Sequence, residues 1–202
     1  MAVIGIMSAM HEELAAVLAA MPDEQRVRVA GRDFWVGHWQ GHDVVAVLSR
    51  IGKVAAATTA TTLIERFGVS RMVFTGVAGG LAPQVQVGDV VVARAFLQHD
   101  MDASPLFPRH EVPLTGMTRF PADTVMSDAL AAAAPLALQD MRAALPRAEW
   151  LNIDLTHAQV HEGLIASGDR FVSQTVESQA LQRELPEALA VEMECARSEE
   201  HT

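Results

Sequence analysis

The sequence predicts an α/β fold with a mixed β-sheet flanked by helices in a single domain. Three observations carry that prediction. Short apolar runs alternate with stretches whose apolar residues recur at helical spacing, the pattern of strands followed by covering helices. Two Gly-centred turns near the start make a hairpin and then a meander, so not every strand runs the same way. The 202 residues are half apolar, enough to bury a sizeable core in one domain of ordinary size.

The elements follow in order. Val3 to Met7 is a short apolar run ending at small Ser8 and Ala9, and reads as a buried strand. Met10, Leu14, Val17, Leu18 and Met21 then define an amphipathic helix over 11–21, stopped by Pro22. Val27 to Ala30 and Phe34 to Trp39 flank a turn at Gly31-Arg32, and a turn at Gly41-His42 leads into Val44 to Leu48. Lys53 to Phe67 is a helix of small residues ended by Gly68. Met72 to Thr75 is a strand that runs into Gly76-Val77-Ala78-Gly79-Gly80. Val85 to Leu97 reads as strand with a Gly88-Asp89 turn inside it, and 98–121 as a long, Pro- and His-rich functional loop. Residues 122–145 form a helix interrupted at Pro135, 146–162 carry no clear signal, and Leu164 to Ser167 is a strand. A helix over 174–183 and a last strand from Ala188 to Met193 complete the pattern.

Composition excludes several classes. Fifteen basic and twenty-five acidic side chains leave a net charge of −10, a poor match for nucleic-acid backbones or anionic membranes. The single cysteine, Cys195, rules out an internal disulfide and a Cys-rich zinc site. The first residues lack the basic leader of a signal peptide, and no apolar run is long enough to span a bilayer, so the expected compartment is the cytoplasm.

Chemistry has three candidate places. At Ser8 to Glu13 a strand end feeds a helix, where ligands gather in open α/β sheets. Glu13 there reads either as an acid complementing the helix dipole or as a general base for water. The glycines of Thr75 to Ala82 allow close approach of a ligand to the backbone, or a tight turn, and their spacing fits no dinucleotide or Walker loop. Glu192 and Glu194, two apart on the predicted last strand, share a face and suit a ribose diol, or else a solvated strand edge. His99, Asp100 and Asp102 have no partner at a metal-ligand spacing, so no metal is expected.

Seven segments occur together in one order. They are Gly5 to Glu13, Ser49 to Ala57, Thr75 to Ala82, Val87 to Val92, Gln98 to Asp102, Ser167 to Val172 and Val191 to Glu194. On these the chain resembles the 5′-methylthioadenosine/S-adenosylhomocysteine nucleosidases of the purine nucleoside phosphorylase superfamily. The resemblance implies a nucleoside phosphorylase-like fold and hydrolysis of an N-glycosidic bond, releasing adenine from a 5′-thio-substituted adenosine. It implies a homodimer and no cofactor. Carried over by position, Glu13 activates water, Glu194 holds the ribose hydroxyls and Met193 lies beneath the sugar. Phe171 stacks on adenine and the backbone of Val172 reads its edge. Met10 and Ile51 line the sugar or the 5′-thio pocket, while Ala78 and Gly79 approach the base and ribose. Relatives often carry Ser where this chain has Val77, and a loop phenylalanine aligned with Phe107 reaches the partner's pocket. The rival readings are a phosphorylase or another nucleoside hydrolase of the same superfamily, or a catalytically inactive nucleoside binder.

The chain departs from the family pattern at its end. Relatives continue past Met193-Glu194 with a helix, a strand and a Ser-Asp motif whose Asp protonates the leaving adenine. The expectation is therefore a nucleosidase domain over 1–196 lacking the last strand and helix, with 197–202 a non-native tail resembling a translated sequencing adapter. Loss of a general acid typically costs about 10²–10⁴-fold in rate, and an impaired chain is expected on that ground.

Overall fold

The structure, a computed structural model, describes residues 2–144 and 155–198. Its elements run β1 (Val3–Ser8), α1 (His11–Ala19), β2 (Gln25–Val29), β3 (Arg32–Trp39), β4 (His42–Leu48), α2 (Lys53–Phe67) and β5 (Val69–Phe74). They continue with β6 (Gly79–Gly80), β7 (Val90–Gln98), β8 (Phe120–Pro121), α3 (Thr124–Ala144), a 3₁₀ turn at Leu155–His157, β9 (Val160–Ser167), α4 (Thr175–Glu184), β10 (Ala188–Glu192) and α5 (Cys195–Ser198). The predicted class holds: mixed strands flanked by helices. The strands divide between two five-stranded sheets, however, ordered β2-β3-β4-β1-β5 and β6-β10-β9-β7-β8, where the sequence suggested one. Periodicity shows which face of a strand is buried but not which strand lies beside it, so the partition is invisible in the pattern. The chain forms two compact units: one runs up to Val77 and resumes at Met193, and the other is Ala78–Glu192.

In the first unit β1 lies between two parallel neighbours, β4 and β5. A strand covered on both faces needs apolar residues throughout, which Val3 to Met7 supplies. Met7, Phe34, Val45, Val47, Ala56, Ala60, Leu63 and Val69 make one core cluster, and Ile6, Leu14, Val17, Met21, Val44 and Ala46 make another beneath α1. Helix α2 buries Ala56, Thr59, Ala60 and Leu63, one face at helical spacing. Its exposed threonines return their hydroxyls to the carbonyls four residues back, as Thr58 does to Val54 at 2.7 Å. Gly68 closes it in the left-handed conformation at φ 65°, donating its N–H to Ile64 at 3.1 Å.

The hairpin turns sit one residue earlier than predicted. Ala30 and Gly31 have φ of 48° and 75°, and Gln40 and Gly41 have 52° and 81°. Both loops therefore place two left-handed residues between strands, the type I′ geometry whose twist matches a hairpin. Arg32 and His42 then open β3 and β4.

In the second unit β7, β9 and β10 run parallel, with β6 and β8 antiparallel at the edges. Leu81, Leu97, Leu164, Ala166, Leu181, Leu185, Ala188 and Val191 form its core. Strand β7 starts at Val90, after the turn predicted within it. Gly88 is left-handed at φ 96°, and Asp89 accepts the amides of Gln86 at 2.8 Å and Gln159 at 2.7 Å. Those bonds, with burial opposing them, hold the Asp89 carboxyl below the usual range beside His161.

Helix α3 runs unbroken through Pro135, against the expected interruption. Proline removes one helical N–H and crowds the carbonyl four residues back. Pro135 faces solvent, so water can serve the carbonyl that loses its partner. Residues 145–154, including Trp150 and most of the uninterpreted stretch, lie outside the described residues, as do 199–202 of the expected tail.

Candidate active site

Strands β4, β1 and β5 are parallel, so Leu48, Ser8 and Phe74 end at one carboxyl edge of the first sheet. Such edges are where ligands bind in α/β sheets. The exits are tied together. Ser49 N–H donates to Ser8 O at 2.8 Å, the Ser49 hydroxyl reaches the same oxygen at 3.2 Å, and Thr75 N–H donates to Met7 O at 2.9 Å. Two of the predicted acids are set at this edge.

Glu13 occupies the first turn of α1 and is half-buried. Its Oε2 accepts the amides of Ala9 and Met10, each at 2.9 Å. The Met10 bond is one arm of a capping box. Its Oε1 accepts the amide of Val77, at 3.0 Å and 64 residues away in sequence. The helix-start reading and the tertiary one are thus both realised: the carboxylate caps α1 and bridges the ends of β1 and β5.

Glu194 is 5% exposed. Its Oε1 accepts the amide of Gly52 at 3.0 Å and its Oε2 that of Met193 at 3.3 Å. Gly52 caps α2 at φ 101°, ψ 152°, just beyond the exit of β4. Glu194 therefore stands at the helix N-terminus that rises from the same edge, where dipole and backbone donor both favour a carboxylate. The two acids, 181 residues apart in number (194 − 13), are held at the ends of three adjacent strands. Met10 and Met193 are half-buried beside them in sequence, and Ile51 is 57% exposed. Arg50 is left-handed at φ 69° and sends its guanidinium to Gly31 O at 3.0 Å. Lys53, the only lysine, is 7% exposed at the first turn of α2.

The remaining predicted residues belong to the second unit. Gly79 pairs with Val191 across β6 and β10, and exposed Ala78 precedes it. Phe171 is 73% exposed and Val172 half-buried, on the loop that leaves β9. That loop is anchored at the carboxyl edge of its own sheet. Gly168 N–H donates to Glu192 O at 3.1 Å, His99 N–H to Ser167 O at 3.0 Å, and Asp169 N–H to Asp100 Oδ2 at 2.8 Å. Asp102, also weighed as a ligand, is occupied by the Ser104 hydroxyl and amide, which hold its carboxyl below the usual range. Among the described residues no three His, Cys, Asp or Glu side chains are grouped to hold a metal.

One expectation is corrected here. The last strand ends at Glu192, not Met193, so Glu192 and Glu194 do not share a strand face. Glu192, 9% exposed, accepts the Ser167 hydroxyl inside the second sheet, while Glu194 has left the strand for Gly52. Sequence reasoning did not single out Gly52 or Ser167, and it weighed Asp100 only as a metal ligand. Gly52 before a helix start was the available signal, since a residue there contributes a free N–H.

Comparison with known proteins agrees. A model of the phosphorylase superfamily matches residues 3–197. The 5′-methylthioadenosine/S-adenosylhomocysteine nucleosidase of Marinomonas sp. (strain MWYL1) is 38% identical over 197 residues, covering 97% of this chain and 77% of the relative. That of Oceanobacillus iheyensis is 37% identical, covering 96% and 76%. The nucleosidase of Neisseria meningitidis in complex with methylthio-immucillin-A superposes with a TM-score of 0.84 at 29% identity, covering 99% of this chain and 79% of that one. The chain belongs to the phosphorylase superfamily, within the family of 5′-methylthioadenosine/S-adenosylhomocysteine nucleosidases.

Proposed function

We propose that this protein hydrolyses the N-glycosidic bond of 5′-methylthioadenosine and S-adenosylhomocysteine, releasing adenine and the 5-thio-ribose product. The observation that carries the reading is the Glu13 carboxylate, fixed by three backbone amides at a strand edge that also holds Glu194. In the proposed step Glu13 takes a proton from water as the water oxygen bonds the anomeric carbon. The carbon–nitrogen bond breaks, its electrons leave with the purine, and the purine takes up a proton. Positive charge builds on the ribose in passing. A buried carboxylate such as Glu194 stabilises that charge while accepting hydrogen bonds from the 2′ and 3′ hydroxyls.

The other roles are proposals of the same kind. Met193 lies beneath the sugar, Met10 and Ile51 line the sugar or 5′-thio side, and Ala78 and Gly79 approach base and ribose. Phe171 stacks on adenine, and the Val172 backbone reads its edge. We also propose a homodimer working in the cytoplasm. Among the described residues no helix is long and apolar enough to cross a membrane. Light scattering at working concentration tests the dimer.

Water is favoured over phosphate as nucleophile. Glu13 repels an anion, and Arg50 points its guanidinium at Gly31 O. The deciding experiment follows adenine release from methylthioadenosine, with and without inorganic phosphate. The expected result is release independent of phosphate that falls about 10²-fold or more in Glu13→Gln, the scale of general-base catalysis. Phosphate-dependent release of a ribose 1-phosphate would make it a phosphorylase. Binding of methylthioadenosine by calorimetry with no release at all would make it a binder.

A further inference from the structure

The backbone around Glu13 distinguishes its two oxygens. A carboxylate oxygen has roughly two in-plane acceptor positions. Oε2 accepts two amides, from Ala9 and Met10, and is filled. Oε1 accepts one, from Val77. Gly76, immediately before that donor, faces the same carboxylate: a Cβ built on it would lie 3.0 Å from Oε1, 3.2 Å from Cδ and 3.3 Å from Oε2. Its φ lies outside the left-handed region, so a side chain there is opposed by crowding against Glu13 and not by backbone conformation. The nearest atoms such a methyl would meet all belong to Glu13.

We propose that Gly76 is a positioning residue for the hydrolytic base, and that Oε1 is the oxygen that takes the proton from water. The missing side chain lets the carboxylate lie against the end of β5 and receive the Val77 N–H, which leaves one acceptor position of Oε1 for water. A methyl at position 76 makes the carboxylate give by a few tenths of an ångström, which lengthens the Val77 bond and crowds that position. The assignment of Oε1 rests on the proposed hydrolysis; the clasp itself does not, and the two are read separately.

The clasp is tested by comparing the Val77, Ala9 and Met10 amide-proton shifts by NMR in the unaltered protein and its variants at one fixed pH. The charged acceptor moves all three downfield, and all three lose that displacement in Glu13→Gln. In Gly76→Ala the displacement at Val77 is reduced while those at Ala9 and Met10 persist. A Val77 amide displaced equally in Gly76→Ala, or one unchanged by Glu13→Gln, overturns the proposal. The kinetic arm expects kcat to fall several-fold in Gly76→Ala with KM nearly unchanged, since the contacts move the base by a few tenths of an ångström and catalysis is sensitive to its alignment. In a Glu13→Gln background the same substitution should cost nothing further; an equal cost there refutes a role through Glu13. If Glu13→Gln leaves turnover intact, the proposed reaction fails while the amide shifts still decide the clasp. Should Gly76→Ala not fold, Gly76→Ala combined with Glu13→Asp is read in its place. The shorter acid retreats from the methyl, so recovery of the fold supports the contact and continued unfolding refutes it.

Discussion

Replacing Gly52 by alanine tests the link between a backbone conformation and an acidic side chain. Gly52 sits at φ 101°, ψ 152°, a region that belongs almost wholly to glycine. Holding a side chain there costs about 1–3 kcal/mol. Alanine also stiffens the unfolded chain, which returns roughly 0.4–1 kcal/mol. If the peptide rotates to relieve the strain, the amide leaves Glu194, and a hydrogen bond to a charged group is worth about 1.5–3 kcal/mol. Glu194 is 5% exposed, so water replaces that donor poorly. Net of that return, either route predicts a loss of about 1–2 kcal/mol, or roughly 2–8 °C in Tm for a chain of this size. Urea unfolding measures it directly, with the midpoint falling and the slope unchanged. In a Glu194→Gln background the penalty should shrink, because the charged acceptor is already gone. A loss below about 0.5 kcal/mol, the range of an ordinary surface change, would show that neither strain nor the Glu194 bond governs the start of α2.

Three further outcomes are expected. Leu63→Ala, which empties a fully buried site between α2 and the first sheet, should cost about 2–5 kcal/mol by chemical denaturation. Gly168→Ala would place a methyl 2.2 Å from His99 Nε2; it should lower Tm by overpacking and recover when His99 is also made alanine. His38 contacts Asp23 at 2.6 Å and Asp43 at 3.2 Å, chiefly the Asp23 bond raises its pKa above the usual 6.5, and His38 in turn lowers that of Asp23 below 3.8. The His38 contribution is therefore complete below pH 6.5 and lost as pH rises through the raised value, while the Asp23 contribution is lost as pH falls through the lowered one. The Tm difference between the protein and His38→Ala should thus be largest between about pH 4 and 6.5 and fade in alkali; a difference constant with pH removes the pair from the account.

What the sequence disclosed was local. The apolar run at Val3, the extent of α2 and the glycine at its end each follow from residues within one or two turns and stand as read. The face of α2 that carries Val54, Ala57, Thr61, Ile64 and Phe67, by contrast, is not the buried one: Val54 is exposed and Ala56, Thr59, Ala60 and Leu63 are covered. Glu13 could be placed in a first turn, but its bond to Val77 joins residues 64 apart and no periodicity encodes it. The division into two sheets was hidden for the same reason. The acids of Val191 to Glu194 were misread because an apolar run does not mark where a strand stops, and one residue decides whether Glu194 lies on a sheet face or turns to Gly52. Pro135 was over-read: it lies on the exposed side of α3, where water can serve the released carbonyl, and the helix continues past it. The site residues themselves came from seven ordered segments, each too common alone and selective only in series.

Five hydrogen bonds that orient Glu13 and Glu194, from Ala9, Met10, Val77, Gly52 and Met193, come from the peptide main chain. Such a scaffold is indifferent to what side chains Ala9, Met10, Val77 and Met193 carry, since each contributes only its N–H. Drift at those positions can change the surroundings of the two acids without unseating either one. The vulnerable letters are the hairless ones, Gly52 and Gly76, and an engineer wishing to retune selectivity would leave those two alone and randomise their neighbours.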